Sequence, residues 1–314
     1  MKNKINSGYR YIFGPVPSRR LGVSLGVDLL PEKICTLDCI YCECGKTKTL
    51  TTCRKEYVPS IKVESEIRDY LTGTPGLDYI TFSGSGEPTL HSRIGDLIKF
   101  LKCDYPHYRV ALLTNGTLLH EPEVLKQVLD ADLVKVSLDA GSVESFVRIN
   151  RPHKALELSK ITDGLINFRN IYSKELWVEV FLVKSINDNE TELKKIKDFL
   201  KLIKPDKIHL NTLDRPGTES RVEAVEKSVM KNIAGYLEGA RLIDGPDSTG
   251  KIFTSDVTGF ITATVKRRPC TAGDVSDILN ITYEEAGKYL DILSERGEIE
   301  KKIMPRGVFY FKIE

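Results

Sequence analysis

Residues 33–53 read KICTLDCIYCECGKTKTLTTC, and the place of this loop in the chain decides the fold. Five of the seven cysteines lie in it: Cys35, Cys39, Cys42, Cys44 and Cys53. Directly before it runs GVSLGVDLL (22–30), an apolar stretch of strand character. Working outward, five more such runs follow: DYITF (78–82), RVALLT (109–114), LVKVSLD (133–139), LWVEVFLV (176–183) and KIHLNTL (207–213). Amphipathic stretches separate them. In TELKKIKDFLKLIK (191–204), Leu193, Ile196, Phe199, Leu200 and Ile203 keep helical spacing, and Asn189 with Glu192 has the form of a capping box. Six strand-then-helix units in series predict an α/β fold with a parallel sheet and right-handed crossovers. Six are too few to close an eight-stranded barrel, so the expected architecture is a partial (β/α)6 barrel, open on one side. Its working end is the carboxyl end of the strands, where the cysteine loop begins.

The expected domains are an N-terminal extension (1–21), the barrel (22–245), a linker (246–255) rich in Gly, Asp, Ser and Thr, and a small module (256–314). In the module, VTGFITATVKRR and TAGDVSDILN read as helices, the second with Thr271 as its N-cap. TYEEAGKYLDILSERG reads as a third helix with Ala286, Tyr289, Leu290 and Leu293 inward. EIEKKIMPRGVFYFKI then reads as two strands turning at Pro305-Arg306-Gly307, the pattern of a winged helix. The third helix turns Glu284, Glu285, Lys288, Asp291 and Glu295 outward, a charge balance unsuited to phosphate. The wing, with Lys301, Lys302 and Arg306, is more basic. Docking of a protein or peptide, or capping of the barrel, is therefore expected rather than sequence-specific DNA binding.

Composition is that of a globular enzyme-sized chain, 314 residues with 41% hydrophobic and 29% charged. No apolar run reaches the roughly 18 residues of a membrane span. The opening MKNKINSGYRYIFGPVPSRR is basic without the apolar segment of a signal peptide. A cytoplasmic location and no membrane partner are expected. There thiols stay reduced, so clustered cysteines read as metal ligands. The net charge of +2 is unevenly spread, with the basic excess in the first 60 residues, which suits an anionic partner or a solvated face.

Cys35, Cys39 and Cys42 are spaced C-x3-C-x2-C. Three thiolates hold three irons of a [4Fe–4S] cube and leave one iron open to a small molecule. Structural zinc on Cys39, Cys42, Cys44 and Cys53 satisfies the spacing as well. The next run ends in FSGSGEPTL (82–90) and favours the open cluster. Gly84, Ser85 and Gly86 let a ligand lie against the backbone, and Glu87 is expected to set a carboxylate at the same rim.

With these features the sequence resembles the radical S-adenosylmethionine (SAM) superfamily over roughly residues 12–245. The resemblance rests on the C-x3-C-x2-C loop with Tyr41 before its last cysteine, on SGEP (85–88), and on the order of the six units. It implies that Cys35, Cys39 and Cys42 ligate the cluster and that SAM chelates the open iron. Reductive cleavage of SAM then yields a 5′-deoxyadenosyl radical that abstracts a hydrogen atom from substrate. Tyr41 and Val183 would flank the adenine, and the backbone at Gly84, Ser85, Gly86 and Glu87 would hold the methionine ammonium. Asn115, Ser137, Asp139 and Arg151 would reach the ribose or carboxylate. GPVPSRRLG (14–22), NRPH (150–153) and RPCTAGDV (268–275) resemble a stand-alone branch of Fe–S oxidoreductases related to the tRNA wyosine-base enzymes. The wyosine enzymes carry a second cluster on N-terminal cysteines, whereas this chain has no cysteine before Cys35.

The resemblance also implies a one-electron reductant, flavodoxin or ferredoxin, and a substrate in tRNA or in a protein or peptide, glycyl-radical activation included. Arg19, Arg20, Asn211, Asp214 and Arg215 are the substrate-facing candidates. A non-enzymatic Fe–S redox sensor with a winged-helix output is the alternative of a different class. Cys44 and Cys53 are left over, as plain or redox-accessible thiols, auxiliary metal ligands or substrate-side groups, because Cys103 and Cys270 lie far along the chain.

Overall fold

The computed structural model describes residues 9–18, 20–243, 257–265, 267–304 and 307–313. Arg19, Arg306 and the expected linker 246–255 lie outside the described residues. In chain order the elements begin with β1 (Ile12–Ser18), β2 (Gly22–Val27), β3 (Ile34–Cys35), β4 (Thr49–Leu50), α1 (Ser60–Leu71) and β5 (Tyr79–Phe82). They continue with α2 (Ile94–Asp104), β6 (Arg109–Thr114), α3 (Pro122–Val128), β7 (Leu133–Ser137), α4 (Val143–Asn150) and α5 (Leu158–Ile171). Then come β8 (Glu175–Leu182), α6 (Glu190–Ile203), β9 (Lys207–Thr212), α7 (Lys227–Tyr236) and β10 (Ala240–Leu242). The last are α8 (Val257–Val265), α9 (Ala272–Leu279), α10 (Tyr283–Glu295), β11 (Ile299–Met304) and β12 (Gly307–Lys312). All six apolar runs form strands, shorter by up to three residues where Asp, Leu or Val at their ends turns into loop.

The chain divides into two compact units. One comprises residues up to Leu29, Pro59–Gly84 and the C-terminal part from Gly245. In it β2 runs parallel to β5, pairing Ser24 with Tyr79 through Val27 with Phe82. The segment IFGPVPS, expected as part of an extension, is instead a strand, β1, antiparallel to β2. Pro15 and Pro17 donate no ladder bond, which a strand paired on one side and irregular between Phe13 and Val16 tolerates. Helix α1 ties this strand down through Glu66, whose carboxylate accepts from the Arg10 and Tyr11 amides at 2.9 and 2.7 Å.

The C-terminal part of this unit has the expected order of three helices and an antiparallel hairpin, Ile299 opposite Lys312 through Met304 opposite Gly307. Thr271 caps α9 in a reciprocal box with Asp274, and Thr282 caps α10 with Glu285. Ala286, Leu290 and Leu293 of α10 are buried with Phe260, Ile261, Val275 and Ile278 in one core. Tyr289 packs at its margin, and Cys270 is buried within it.

The second unit, Leu30–Val58 with Ser85–Asp244, carries five parallel strands in the order β6-β7-β8-β9-β10. Most positions of β6, β7 and β8 are buried, the mark of strands covered on both faces. β10 is only three residues, ARL, too short to register as a periodic run. The Asn189–Glu192 box closes on one side only. Asn189 accepts from the Glu192 amide, but the Glu192 carboxylate turns away to accept from Gly141 and Ser142 at 2.9 and 3.1 Å.

Candidate metal and cofactor site

The cysteine loop belongs wholly to the second unit, as do the groups that hold it. Its ends are stitched together by the short β3–β4 pairing and by the Thr51 amide donating to the Cys35 carbonyl at 2.9 Å. Two turns follow, Cys42 N to Cys39 O at 3.1 Å and Gly45 N to Cys42 O at 3.2 Å. They fold the C-x3-C-x2-C segment back on itself, which brings Cys42 within electrostatic reach of Cys35 and Cys39. All the described cysteines are free thiols. Burial pushes the Cys35 thiol up to about 12, with Glu87 and Cys42 adding to it. Cys39 is driven well above its usual value by burial and by Cys42, Asp139 and Cys35. Cys42 is held low, at about 5, by a hydrogen bond from the Cys44 thiol, with the Lys33 ammonium helping.

Burial and the charge of Cys42 thus disfavour the thiolates of Cys35 and Cys39, the condition that a bound cationic cluster relieves. Three thiolates meet the need of a cube, which seats them on separate irons. Among the described residues no group of three or more His, Cys, Asp or Glu stands in the arrangement that holds a single metal ion. Cys53 is exposed, with its amide bonded to Thr51 Oγ1, and Cys103 is exposed too.

The glycine turn packs under this loop. A Cβ on Gly86 would fall 1.9 Å from the Ile34 carbonyl oxygen, so only glycine permits the approach. The next amide, that of Glu87, donates to that same oxygen at 3.0 Å. Gly84 has a φ of +146°, a conformation that side chains disfavour. Glu87 does not stand at the rim as the sequence suggested. It is 2% exposed, and its Oε1 accepts from Thr89 N, Thr89 Oγ1 and Thr114 Oγ1 at 3.0, 2.6 and 2.6 Å. Its Oε2 accepts from Asn115 N at 2.7 Å. Burial raises its pKa against these bonds. The carboxylate braces the end of β6 to the turn; the Glu-Pro-Thr sequence hid this because Thr114 is 27 residues away.

At the far side of the loop the Tyr41 ring stacks on Phe181 with centroids 3.7 Å apart and planes 9° from parallel. Its hydroxyl donates to Asp139 Oδ2 at 2.5 Å. Asp139 is buried and fully engaged, Oδ2 also accepting from Asn150 Nδ2 at 2.8 Å and Oδ1 from Phe181 N at 3.0 Å. Both oxygens that the sequence assigned to a ligand thus serve the protein. Burial raises the Asp139 pKa while these donors lower it, with a net rise. Val183 lies in an apolar cluster with Ile40, Ile149, Phe181 and Val222. Asn187, which the sequence did not single out, locks this corner by accepting from Val183 N and donating to the Asp139 and Phe181 carbonyls.

The stretch after β9 crosses the cysteine loop. Thr218 Oγ1 donates to the Cys42 carbonyl at 3.2 Å, and Glu219 N donates to the Ile40 carbonyl at 3.0 Å. A Cβ on Gly217 would lie 2.8 Å from the Tyr41 backbone. Arg215 is buried between Asp214 at 3.6 Å and Glu43 at 3.9 Å. Arg151, in a left-handed conformation at the end of α4, pairs with Glu219 at 2.7 Å. A cleft of about 520 Å³ opens here, lined by Ile40, Val183 and Val222 together with Arg148, Arg151, Lys184 and Arg221. Ser137 ends β7 and Asn211 accepts from Thr212 N near the end of β9. Arg20 belongs to the other unit, its amide bonded to Ser18 Oγ. The second unit thus brings together Cys35, Cys39, Cys42, Tyr41, Glu87, Asn115 and Asp139. Asn150, from the NRPH segment, joins them, as do Lys33, Asn187 and the 217–219 crossing, which carry no local sequence signal apart from Pro-Gly at 216–217.

The sequence profile of the radical SAM superfamily matches residues 30–200. A Helicobacter pylori protein designated UPF0026 is 37% identical over 95% of this chain and 96% of its own length. A Brachyspira hyodysenteriae protein named GTPase Obg is 35% identical over 99% of this chain but 46% of its own, so the chain spans less than half of that relative. Among solved structures, a radical SAM methyltransferase from Sphaerobacter thermophilus superposes with a TM-score of 0.53 at 14% identity, over 70% of this chain and 65% of that one. At that identity the likeness speaks for the fold, a mostly parallel α/β partial barrel. The [4Fe–4S] cluster and SAM are the cofactors of this family, and no helix among the described residues is long and apolar enough to cross a membrane. The chain belongs to the radical SAM superfamily.

Proposed function

We propose that this protein reductively cleaves SAM and uses the resulting radical to take a hydrogen atom from a protein or peptide substrate. The observation that carries the reading is the cluster of Cys35, Cys39 and Cys42, three reduced thiols in one loop whose burial and mutual charge call for a cationic partner. These three residues would hold the [4Fe–4S] cluster. When bound and reduced by a flavodoxin- or ferredoxin-type donor, the cluster supplies the electron that breaks the sulfonium bond to the adenosyl 5′-carbon, giving methionine and the 5′-deoxyadenosyl radical.

The chain's own part is to bind and to exclude water. The Gly84-Ser85-Gly86 backbone offers amides to the SAM amino-acid end, with Glu87 holding the turn from below. Val183 and Tyr41 give an apolar wall for the adenine, and Ser137 at the end of β7 offers a hydroxyl to the ribose or carboxylate, whereas the Asn115 amide is already engaged by Thr36 and Thr117. Arg151, already paired with Glu219, would serve a carboxylate only by sharing that partner. Arg215 and Asp214, beside Glu43, are the substrate-side candidates that stand next to the cysteine loop, and Asn211 stands one strand turn before them.

The acidic third helix of the C-terminal part favours a polypeptide over RNA. Its Glu284 is paired with Lys288 at 3.1 Å, and Asp291 neutralises Lys301 of the hairpin at 2.8 Å, leaving little positive charge for phosphates. The test is anaerobic turnover in extract of cells grown on deuterated amino acids, against extract with deuterated nucleosides. Label entering 5′-deoxyadenosine from the first and not the second is expected; the reverse assigns an RNA substrate and overturns the polypeptide reading.

A further inference from the structure

Each of the three cluster thiols receives one side-chain N–H donor, and the three donors come from three different parts of the chain. Asn115, at the end of β6, sends Nδ2 to Cys35 Sγ at 3.6 Å. Asn150, the last residue of α4, sends Nδ2 to Cys39 Sγ at 3.4 Å. Lys33, 4% exposed, hydrogen-bonds Cys42 and also donates to the Gly45 carbonyl.

The orientation of both amides is fixed by their other bonds. Asn115 Oδ1 accepts from Thr117 N and Thr117 Oγ1 at 3.0 and 2.7 Å, so its NH2 must face Cys35 and Thr36 Oγ1. Asn150 Nδ2 is held by the Asp139 carboxylate at 2.8 Å, which only an NH2 group satisfies. Lys33 is a full positive charge in a buried place. Its Nζ donates to the Gly45 carbonyl and hydrogen-bonds Cys42, which holds the side chain inside the cysteine loop.

We propose that Lys33, Asn115 and Asn150 form a set of positioning residues that raises the reduction potential of the cluster, one N–H···S bond to each ligating thiolate. Taking up one electron adds one negative charge to the cluster and its sulfurs. Donors aimed at those sulfurs favour the reduced form more than the oxidised one, so they shift the potential upward. The electron comes from the one-electron protein reductant, and no other bond or proton changes in the step. Lys33, carrying a whole charge, gives the largest effect, and Asn115, with the longest bond, the smallest.

The inference rests on the cluster reading proposed above, and the experiment separates the two. Wild-type protein and the variants Lys33→Met, Asn115→Leu and Asn150→Leu are reconstituted anaerobically, assayed for iron and sulfide, and titrated potentiometrically with the reduced cluster followed by electron paramagnetic resonance. Asn150→Leu is expected to lower the one-electron reduction constant about tenfold, equivalent to about 59 mV, Lys33→Met by more than that and Asn115→Leu by about fivefold. Lys33→Arg keeps the charge and is expected to stay within threefold of wild type. Cluster-loaded Lys33→Met and Asn115→Leu proteins that titrate within twofold of wild type overturn the inference. These two variants decide the matter even where Asn150→Leu fails to hold iron, because Asn150 also supports Asp139. A wild-type protein that takes up no cluster overturns the cluster reading itself, and the inference with it.

Discussion

Replacing Gly86 by Ala should disable the site from beneath without altering any of the three proposed cluster ligands. The added Cβ would fall 1.9 Å from the Ile34 carbonyl oxygen, 2.8 Å from its carbon and 2.7 Å from Leu30 Cδ1. Leu30 can rotate away, but the Ile34 carbonyl is backbone and must retreat by about 1.5 Å to reach ordinary contact. That retreat breaks the 3.0 Å bond from the Glu87 amide, worth about 1 kcal/mol net. Overpacking adds about 1–3 kcal/mol, for a total of about 2–4 kcal/mol. Because Ile34 directly precedes Cys35, the first thiol moves with it. Denaturant unfolding followed by circular dichroism reads the stability, and iron and sulfide analysis after anaerobic reconstitution reads the site. We expect the stability loss together with a marked fall in bound iron. Gly73→Ala is the control, since nothing lies within 4 Å of its added carbon, and it should be near neutral. A Gly86→Ala protein within 0.5 kcal/mol of wild type, with a full complement of iron, would refute the packing argument.

Glu87→Gln exchanges one acceptor oxygen for a donor in a ring of four donors, and should cost about 2–3 kcal/mol in the same unfolding assay while leaving SAM contacts in place. His91 is fully buried, its Nε2–H donating to the Val58 carbonyl at 2.8 Å, and burial lowers its pKa below 6.5. Its contribution to stability is therefore complete above pH 6.5 and is lost as pH falls from there toward the lower folded value, with a slope of at most about 1.4 kcal/mol per pH unit. His91→Gln should flatten that part of the pH profile, and an unchanged slope would count against the assignment. Cys53→Ala, at an exposed position, should leave iron content at the wild-type level, whereas Cys39→Ala should sharply reduce it.

The parallel strands were legible because a strand covered on both faces is mostly apolar, as LLT, LVKV and WVEVFL are, with the two charges among them, Lys135 and Glu179, paired at 3.2 Å. IFGPVPS was not, since two prolines and a glycine argue against a strand unless its pairing partner is known, and the partner is the neighbouring GVSLGV. The proposed ligands Cys35, Cys39 and Cys42 were legible from their spacing together with the glycine turn that follows. Their environment was not. Glu87 reads the same in sequence whether it faces a ligand or Thr114, and only the fold brings β6 against it. Asp139 likewise spends both oxygens on Tyr41, Asn150 and Phe181, residues 98, 11 and 42 positions away. Lys33, Asn150 and Gly217 act through contacts that no local pattern encodes, although Asn150 lies in the quoted NRPH segment and Gly217 follows a proline.

The most direct test of the account is to mix reconstituted protein with SAM and a strong one-electron reductant under anaerobic conditions and to measure 5′-deoxyadenosine. The account predicts its formation by wild-type protein, and none by Cys39→Ala or by protein kept without reductant. Protein carrying about four irons and four sulfides per chain that yields no 5′-deoxyadenosine would contradict it and leave a redox sensor as the reading of this site.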